Sequence, residues 1–227
     1  MASAKNKIDV DTLIISDTHL GDDSARCQKI IELLNTYRFK KLILNGDIVD
    51  GVNFQRFHSD HWQVFSVFRR LSKYHEVIWV HGNHDGATNI ISRLLGINTC
   101  NKYIWENGGK KFLAIHGHQY DRFMNNNAVI SYLAFAFYSF LKKVDKTELL
   151  VKFIGGRKRW LRNSLGVENG AVKYGKNLGV DYVFCGHTHQ IYHSKKEGIE
   201  YFNTGCWVED VSGYVIIKKG EVNQYTV

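Results

Sequence analysis

Five short polar segments carry most of the chemistry open to this chain. They are Ser16-Asp17-Thr18-His19, Asn45-Gly46-Asp47, Gly82-Asn83-His84-Asp85, His116-Gly117-His118 and Gly186-His187-Thr188-His189. Asp, Asn and His are the nitrogen and oxygen ligands suited to manganese, iron or zinc, with no thiolate needed. On extended backbone an Asp-x-His or His-x-His pair points both side chains to one side, because a strand repeats every two residues. The glycines let backbone pass close to an ion with no Cβ in the way. One Asp-x-His is ordinarily a solvated loop. Five clusters, each directly after an apolar run, form a joint pattern of much higher specificity.

The elements that must position these clusters are short buried strands. Val10 to Ser16, Lys41 to Asn45 and Glu76 to Val80 are apolar runs rich in β-branched residues. Between them Ile30, Ile31, Leu34 and Tyr37, then Trp62, Phe65, Phe68 and Leu71, recur at helical spacing. This β-α-β-α-β rhythm predicts a parallel sheet covered by helices, in which ligands bind at the carboxyl ends of the strands. Strand signals return in KFLAIHGH from Lys111 and in Asp181 to Cys185. The C-terminus reads as a meander of Ile199 to Asn203, Tyr214 to Lys218 and Val222 to Val227. A stretch without strand signals, at about 122–178, reads as a helical cap insertion within one domain spanning 1–227.

Composition bounds the setting. The chain has 227 residues, 44% hydrophobic and 23% charged, which suits one globular domain with a sizeable core. It contains no proline, so its turns rest on 20 glycines and on Asn and Asp. A net charge of +8 draws it to anions: nucleic acid, a phosphate-bearing substrate or an acidic membrane surface. Cys27, Cys100, Cys185 and Cys206 form no CxxC pair and pack as small hydrophobes, as expected in a reducing cytoplasm. The N-terminal MASAKNKIDVD has no apolar core and is not read as a signal peptide. Ala128 to Leu141 carries no charge but is shorter than the ~20 residues of a membrane span.

The blocks DTH, GD, GNHD, HGH and GHTH resemble the calcineurin-like metallophosphoesterases from about residue 12 to 217. The resemblance implies an α/β fold of two packed mixed β-sheets flanked by helices. It further implies that Asp17, His19 and His189 hold one divalent ion and Asn83, His116 and His187 another, with Asp47 bridging and His84 catalytic. Such a pair, roughly 3.5–4 Å apart, clamps the attacking and leaving oxygens at phosphorus and makes hydroxide available near neutral pH. His84 then donates a proton or stabilises charge. Asp50, Asp85 and Asp121 are candidates to orient the ligating imidazoles.

A second layer of resemblance narrows the substrate. SDTHLG with Cys27-Gln28, GDIVDG, HGHQYD, GVDYVFCGHTHQ and NTGCWVE look like the bacterial UDP-2,3-diacylglucosamine pyrophosphatase-like branch of lipid A biosynthesis. In that reading Phe135 and Phe137 meet acyl chains while Arg157 and Arg159 meet phosphate. Manganese is the expected metal. The expected partners are a phosphate-bearing small molecule or lipid, an anionic membrane surface reached peripherally from the cytoplasm, and a second copy of the chain. Three departures stand out: His84 replaces Arg, while His118 and Cys206 replace Asp. Alternatives are a structural cap with no lipid role, a phosphodiesterase or nuclease of other specificity, and a scaffold such as a retromer subunit. No nucleic-acid module is present to favour the nuclease, and all seven ligand positions and His84 are intact, against the scaffold.

Overall fold

A computed structural model describes residues 7–51, 53–86, 88–121 and 157–227, with backbone alone at 89 and 157–163. The order is β1 (Ile8–Ile15), α1 (Cys27–Thr36), β2 (Tyr37–Asn45), α2 (Ser59–Leu71), β3 (Glu76–Val80), α3 (Thr88–Leu95) and β4 (Asn98–Cys100). There follow β5 (Tyr103–Asn107), β6 (Lys110–Ala114), α4 (Arg157–Asn177), β7 (Tyr182–Cys185), β8 (Ile191–Lys196), β9 (Ile199–Thr204), β10 (Gly213–Lys218) and β11 (Glu221–Thr226). Two 3-10 turns, Phe54–Arg56 and His118–Tyr120, lie between them.

Two mixed sheets result, ordered β11-β10-β1-β2-β3-β4 and β5-β6-β7-β9-β8. Their apolar runs are explained by cover on both faces. Leu13, Ile15, Leu42, Leu44, Val77 and Trp79 pack towards Ile30, Leu34, Val64 and Phe68 of the first helices. The alternating residues Ile14, Ile43, Ile78 and Val80 instead meet Trp105, Phe112, Phe184 and Phe202 of the second sheet. The far face of that sheet, through Leu113, Val183 and Tyr201, packs on Val167, Ala171 and Val172 of α4. The molecule is therefore layered helix, sheet, sheet, helix.

Three expectations change. Tyr37 opens β2 and does not close α1. Trp62 is half exposed, because the buried stripe of α2 runs through His61, Val64, Phe65, Phe68 and Leu71, leaving Trp62 to one side. The C-terminal meander is split. β9 lies in the second sheet, parallel to β7, while β10 crosses to the first and pairs antiparallel with β1. Its run Tyr-Val-Ile-Ile is apolar on both faces and needs a central position, which lies between β1 and β11. No helix among the described residues is long and apolar enough to cross a membrane.

Candidate metal centre

The carboxyl ends of β1, β2, β3, β6 and β7 each release one of the five polar segments. Backbone hydrogen bonds tie the segments together: Asp17 N to Gly46 O at 2.9 Å, His19 N to Asp47 O at 3.0 Å and Gly186 N to His116 O at 3.0 Å. The expectation of extended backbone fails. Asp17, His19, Asp47, His187 and His189 all adopt positive φ, between 43° and 66°. Past the strand end the chain must double back, and the left-handed residues aim these side chains at one another. Each such conformation costs of order 1–3 kcal/mol and persists only where surrounding bonds enforce it.

Two neighbouring donor groups form. In the first, His189 Nε2 lies 3.4 Å from Asp17 Oδ1 and 3.1 Å from His19 Nε2. In the second, His116 Nε2 lies 3.1 Å from Asp47 Oδ2, and His187 completes the group. His116 Nδ1 contacts the carbonyl of Asn45 at 3.0 Å, which fixes the ring. The groups adjoin, since both oxygens of Asp17 accept from the backbone N–H of His187. Asn83 Oδ1 is buried and has no hydrogen-bond partner among the described residues, as a carbonyl kept for a cation would be. A Cβ at Gly82 would run into Asp47, one at Gly46 into His116 and one at Gly186 into Asp17. The donor set and its glycine cradle fit two divalent ions.

His84 stands beside both groups. Its N–H donates to Asp47 Oδ1 at 2.7 Å, and its ring packs edge-on against His19 at 4.9 Å. The three outer carboxylates do different work. Asp50 Oδ1 lies 2.9 Å from His84 Nδ1, and Asp121 Oδ2 lies 3.1 Å from His187 Nε2. Asp85 touches no imidazole. It accepts from the N–H groups of Asp47, Ile48, Val49 and Gly82 and from Trp79 Nε1, pinning the ends of β2 and β3 together.

Electrostatics follow from burial and proximity. Burial would raise the Asp47 carboxyl, but His116, His84 and His19 hold it well below the usual carboxylate range. Burial would lower His116, yet Asp47 and Asp17 raise it to about 9. His84 is raised against its burial by Asp50 and Asp47. His118, whose Nδ1 is buried with no hydrogen-bond partner among the described residues, is pushed down to about 4 by burial and by His116 and His187.

Phe135 and Phe137 lie outside the described residues, and Arg157 and Arg159 fall on the first turn of α4, described by backbone alone. Sequence reasoning missed Arg56, which donates to Asp50 Oδ2 at 2.7 Å. It quoted Glu209 within NTGCWVE without giving it a role, and read Cys206 as a packed residue that departs from the Asp of the pattern. Cys27 and Cys185 do pack in cores, whereas Cys206 joins His189 and Glu209 in a further donor group, as His19, Asp50 and His84 form another.

The family model described as calcineurin-like phosphoesterase matches residues 11–191. The chain belongs to that family. Similar solved structures include an archaeal phosphodiesterase, 20% identical over 95% of this chain and 99% of that one, with a TM-score of 0.53. Vps29 of Entamoeba histolytica, as a single mutant, is 18% identical over 95% and 97%, with a TM-score of 0.51. Vacuolar Protein Sorting 29 of Cryptosporidium parvum is 15% identical over 96% and 97%, also at 0.51. These likenesses show the shared fold. No curated sequence matches the chain.

Proposed function

We propose that this calcineurin-like phosphoesterase hydrolyses a phosphoester or pyrophosphate with two divalent ions. The observation that carries the reading is the convergence of two N/O donor groups, one of Asp17, His19 and His189, the other of Asp47, His116 and His187. We assign Asn83 to the second group through its buried carbonyl oxygen, which has no hydrogen-bond partner among the described residues. We assign Asp47 to bridge the two: Oδ2 lies 3.1 Å from His116 Nε2, and Oδ1 accepts from the backbone N–H of His84, whose ring packs against His19 of the first group. Ions held there, manganese by our assignment, with iron or zinc as alternatives, would neutralise phosphoryl charge and provide hydroxide near neutral pH.

The chain's own residues supply the rest. Asp50 holds His84 through Nδ1, so we assign delivery of a proton to the leaving oxygen to His84 Nε2. The neighbouring carboxylates Asp50 and Asp47 favour the protonated imidazole, which suits a donor. Asp85 keeps the Asp47 turn from shifting as charge develops.

For the substrate we propose the pyrophosphate of UDP-2,3-diacylglucosamine or a related lipid-linked nucleotide. The support is the motif resemblance together with an apolar run and a basic run in one insertion. In this reading the protein works at an anionic membrane surface. The test is turnover of UDP-2,3-diacylglucosamine against its deacylated analogue and a chromogenic phosphodiester, each with added manganese. Preference for the acylated substrate supports the lipid reading; equal rates on both would sink it. Ions bound with no turnover of any phosphoester would favour a binding module.

A further inference from the structure

His189 presents its two ring nitrogens to two different sets of atoms. Nε2 faces Asp17 and His19, the first donor group. Nδ1 lies 3.8 Å from Glu209 Oε1. The donor atoms of Cys206, Glu209 and His189 all lie within 4.8 Å of one another. Cys206 is fully buried.

The segment that carries these two residues is fastened to the end of β1. Ser16 Oγ lies 2.5 Å from Thr204 Oγ1 and donates to Gly205 O at 3.1 Å. Trp207 N donates to Asp17 O at 2.9 Å, so the residue after Cys206 is bonded to the backbone of a candidate ligand. Arg26 completes the fastening. Its backbone N–H reaches Trp207 O, and its Nη1 reaches the carbonyls of Glu209 at 3.3 Å and Asp210 at 2.7 Å. A buried thiol that served packing alone would need no such register against an imidazole.

We propose that Cys206 and Glu209 are positioning residues for His189, holding its Nδ1 side so that Nε2 is aimed at the Asp17–His19 group. They thereby set the affinity of that half of the metal centre and not of the other. The inference rests on the dinuclear reading above. Its physical basis is general: a ligating imidazole is oriented, and made more basic, by the group that engages its second nitrogen. Here the groups beside it are the Glu209 carboxylate, 3.8 Å from Nδ1, and the Cys206 thiol, within 4.8 Å of both. Glu209 is exposed and supplies charge; Cys206 is buried and supplies position.

The experiment is titration of the full metal-free chain with manganese alone, followed by calorimetry and by counting bound ions. The wild type is expected to bind two. Cys206→Ala should weaken one of the two by roughly 10–100-fold and leave the other unchanged. Cys206→Asp should recover most of that loss, and Glu209→Gln should weaken the same ion by less. Because Cys206 is buried, Glu209→Gln is the variant that decides if Cys206→Ala fails to fold. Two ions bound with unchanged affinity in both variants would overturn the inference while leaving the dinuclear reading intact. Three ions in the wild type would overturn it in favour of a separate Cys206–Glu209 ion site. A wild-type chain that binds no manganese would remove the dinuclear reading, and this inference with it.

Discussion

His84 Nδ1 and Asp50 Oδ1 are 2.9 Å apart, and the second oxygen of Asp50 is held by Arg56 at 2.7 Å. This contact orients the imidazole and favours its protonated form. The same Asp50 oxygen lies 3.7 Å from Nδ1 of His19, so it faces a candidate metal ligand as well.

Replacing His84 with Ala is expected to lower turnover of a chromogenic phosphodiester by roughly 10²–10⁴-fold, the range of general acid–base groups. Both ions should remain, counted by elemental analysis. The loss should be larger with a poor leaving group than with a good one, because only the former needs the proton. Equal losses would mean charge stabilisation in place of proton donation. Unchanged turnover would remove His84 from the reaction.

Asn83→Ala tests the ligand assignment by a different route. It removes a carbonyl oxygen that has no hydrogen-bond partner among the described residues. The metal-free chain should thus lose little stability, because that oxygen makes no hydrogen bond to a described residue. Manganese affinity should fall for one ion of the two. A variant that binds both ions like the wild type, by calorimetry, would show that Asn83 is no ligand.

The metal-free chain should be most stable near the pH at which a free histidine titrates. His118 is depressed to about 4, so between about 4 and 6.5 the unfolded state binds more protons and stability rises with pH. His116 is raised to about 9, so its contribution is complete below about 6.5 and is lost as pH rises to about 9. A melting-temperature series after chelation should therefore peak near pH 6.5. Manganese should reverse the upper limb, since a ligating His116 must be neutral and ion affinity grows as its proton leaves. A flat metal-free profile from pH 5 to 9 would contradict both shifts.

How far the sequence reached depended on how local each signal was. The strands were legible because burial on both faces demands unbroken apolar runs, as in Leu42-Ile43-Leu44 between α2 and the second sheet. The five polar segments were legible because each follows such a run. The left-handed turns at Asp17, His19, Asp47, His187 and His189 were not, since non-glycine residues at positive φ leave no trace in composition. The crossing of β10 to the first sheet was equally hidden, because strand pairing is a long-range choice. Arg56 and Glu209 were given no role for a related reason. Each is an ordinary surface residue until the fold sets it beside Asp50 or His189.

Glycine supplies a matched pair of substitutions with opposite outcomes. Gly82 has a backbone angle that other residues can adopt, so Gly82→Ala carries no strain of its own. The new Cβ would collide with the backbone nitrogen and Oδ1 of Asp47. Neither can give way cheaply, because Asp47 N is bonded to Asp85 at 2.9 Å and Oδ1 to His84 N at 2.7 Å. The misfit should cost about 1–3 kcal/mol, the range for overpacking, and should displace the carboxylate proposed to bridge the two donor groups. Weaker binding of both manganese ions is expected, in a chain that still folds. Gly166 lies inside α4, and among the described residues a Cβ there meets nothing nearer than Tyr120 O at 3.9 Å. Gly166→Ala should therefore stabilise the chain by about 0.5–1 kcal/mol through reduced freedom of the unfolded state. Ion affinity should not change. If Gly82→Ala binds manganese as tightly as Gly166→Ala does, the close approach of the Gly82 turn to Asp47 has no part in building the centre.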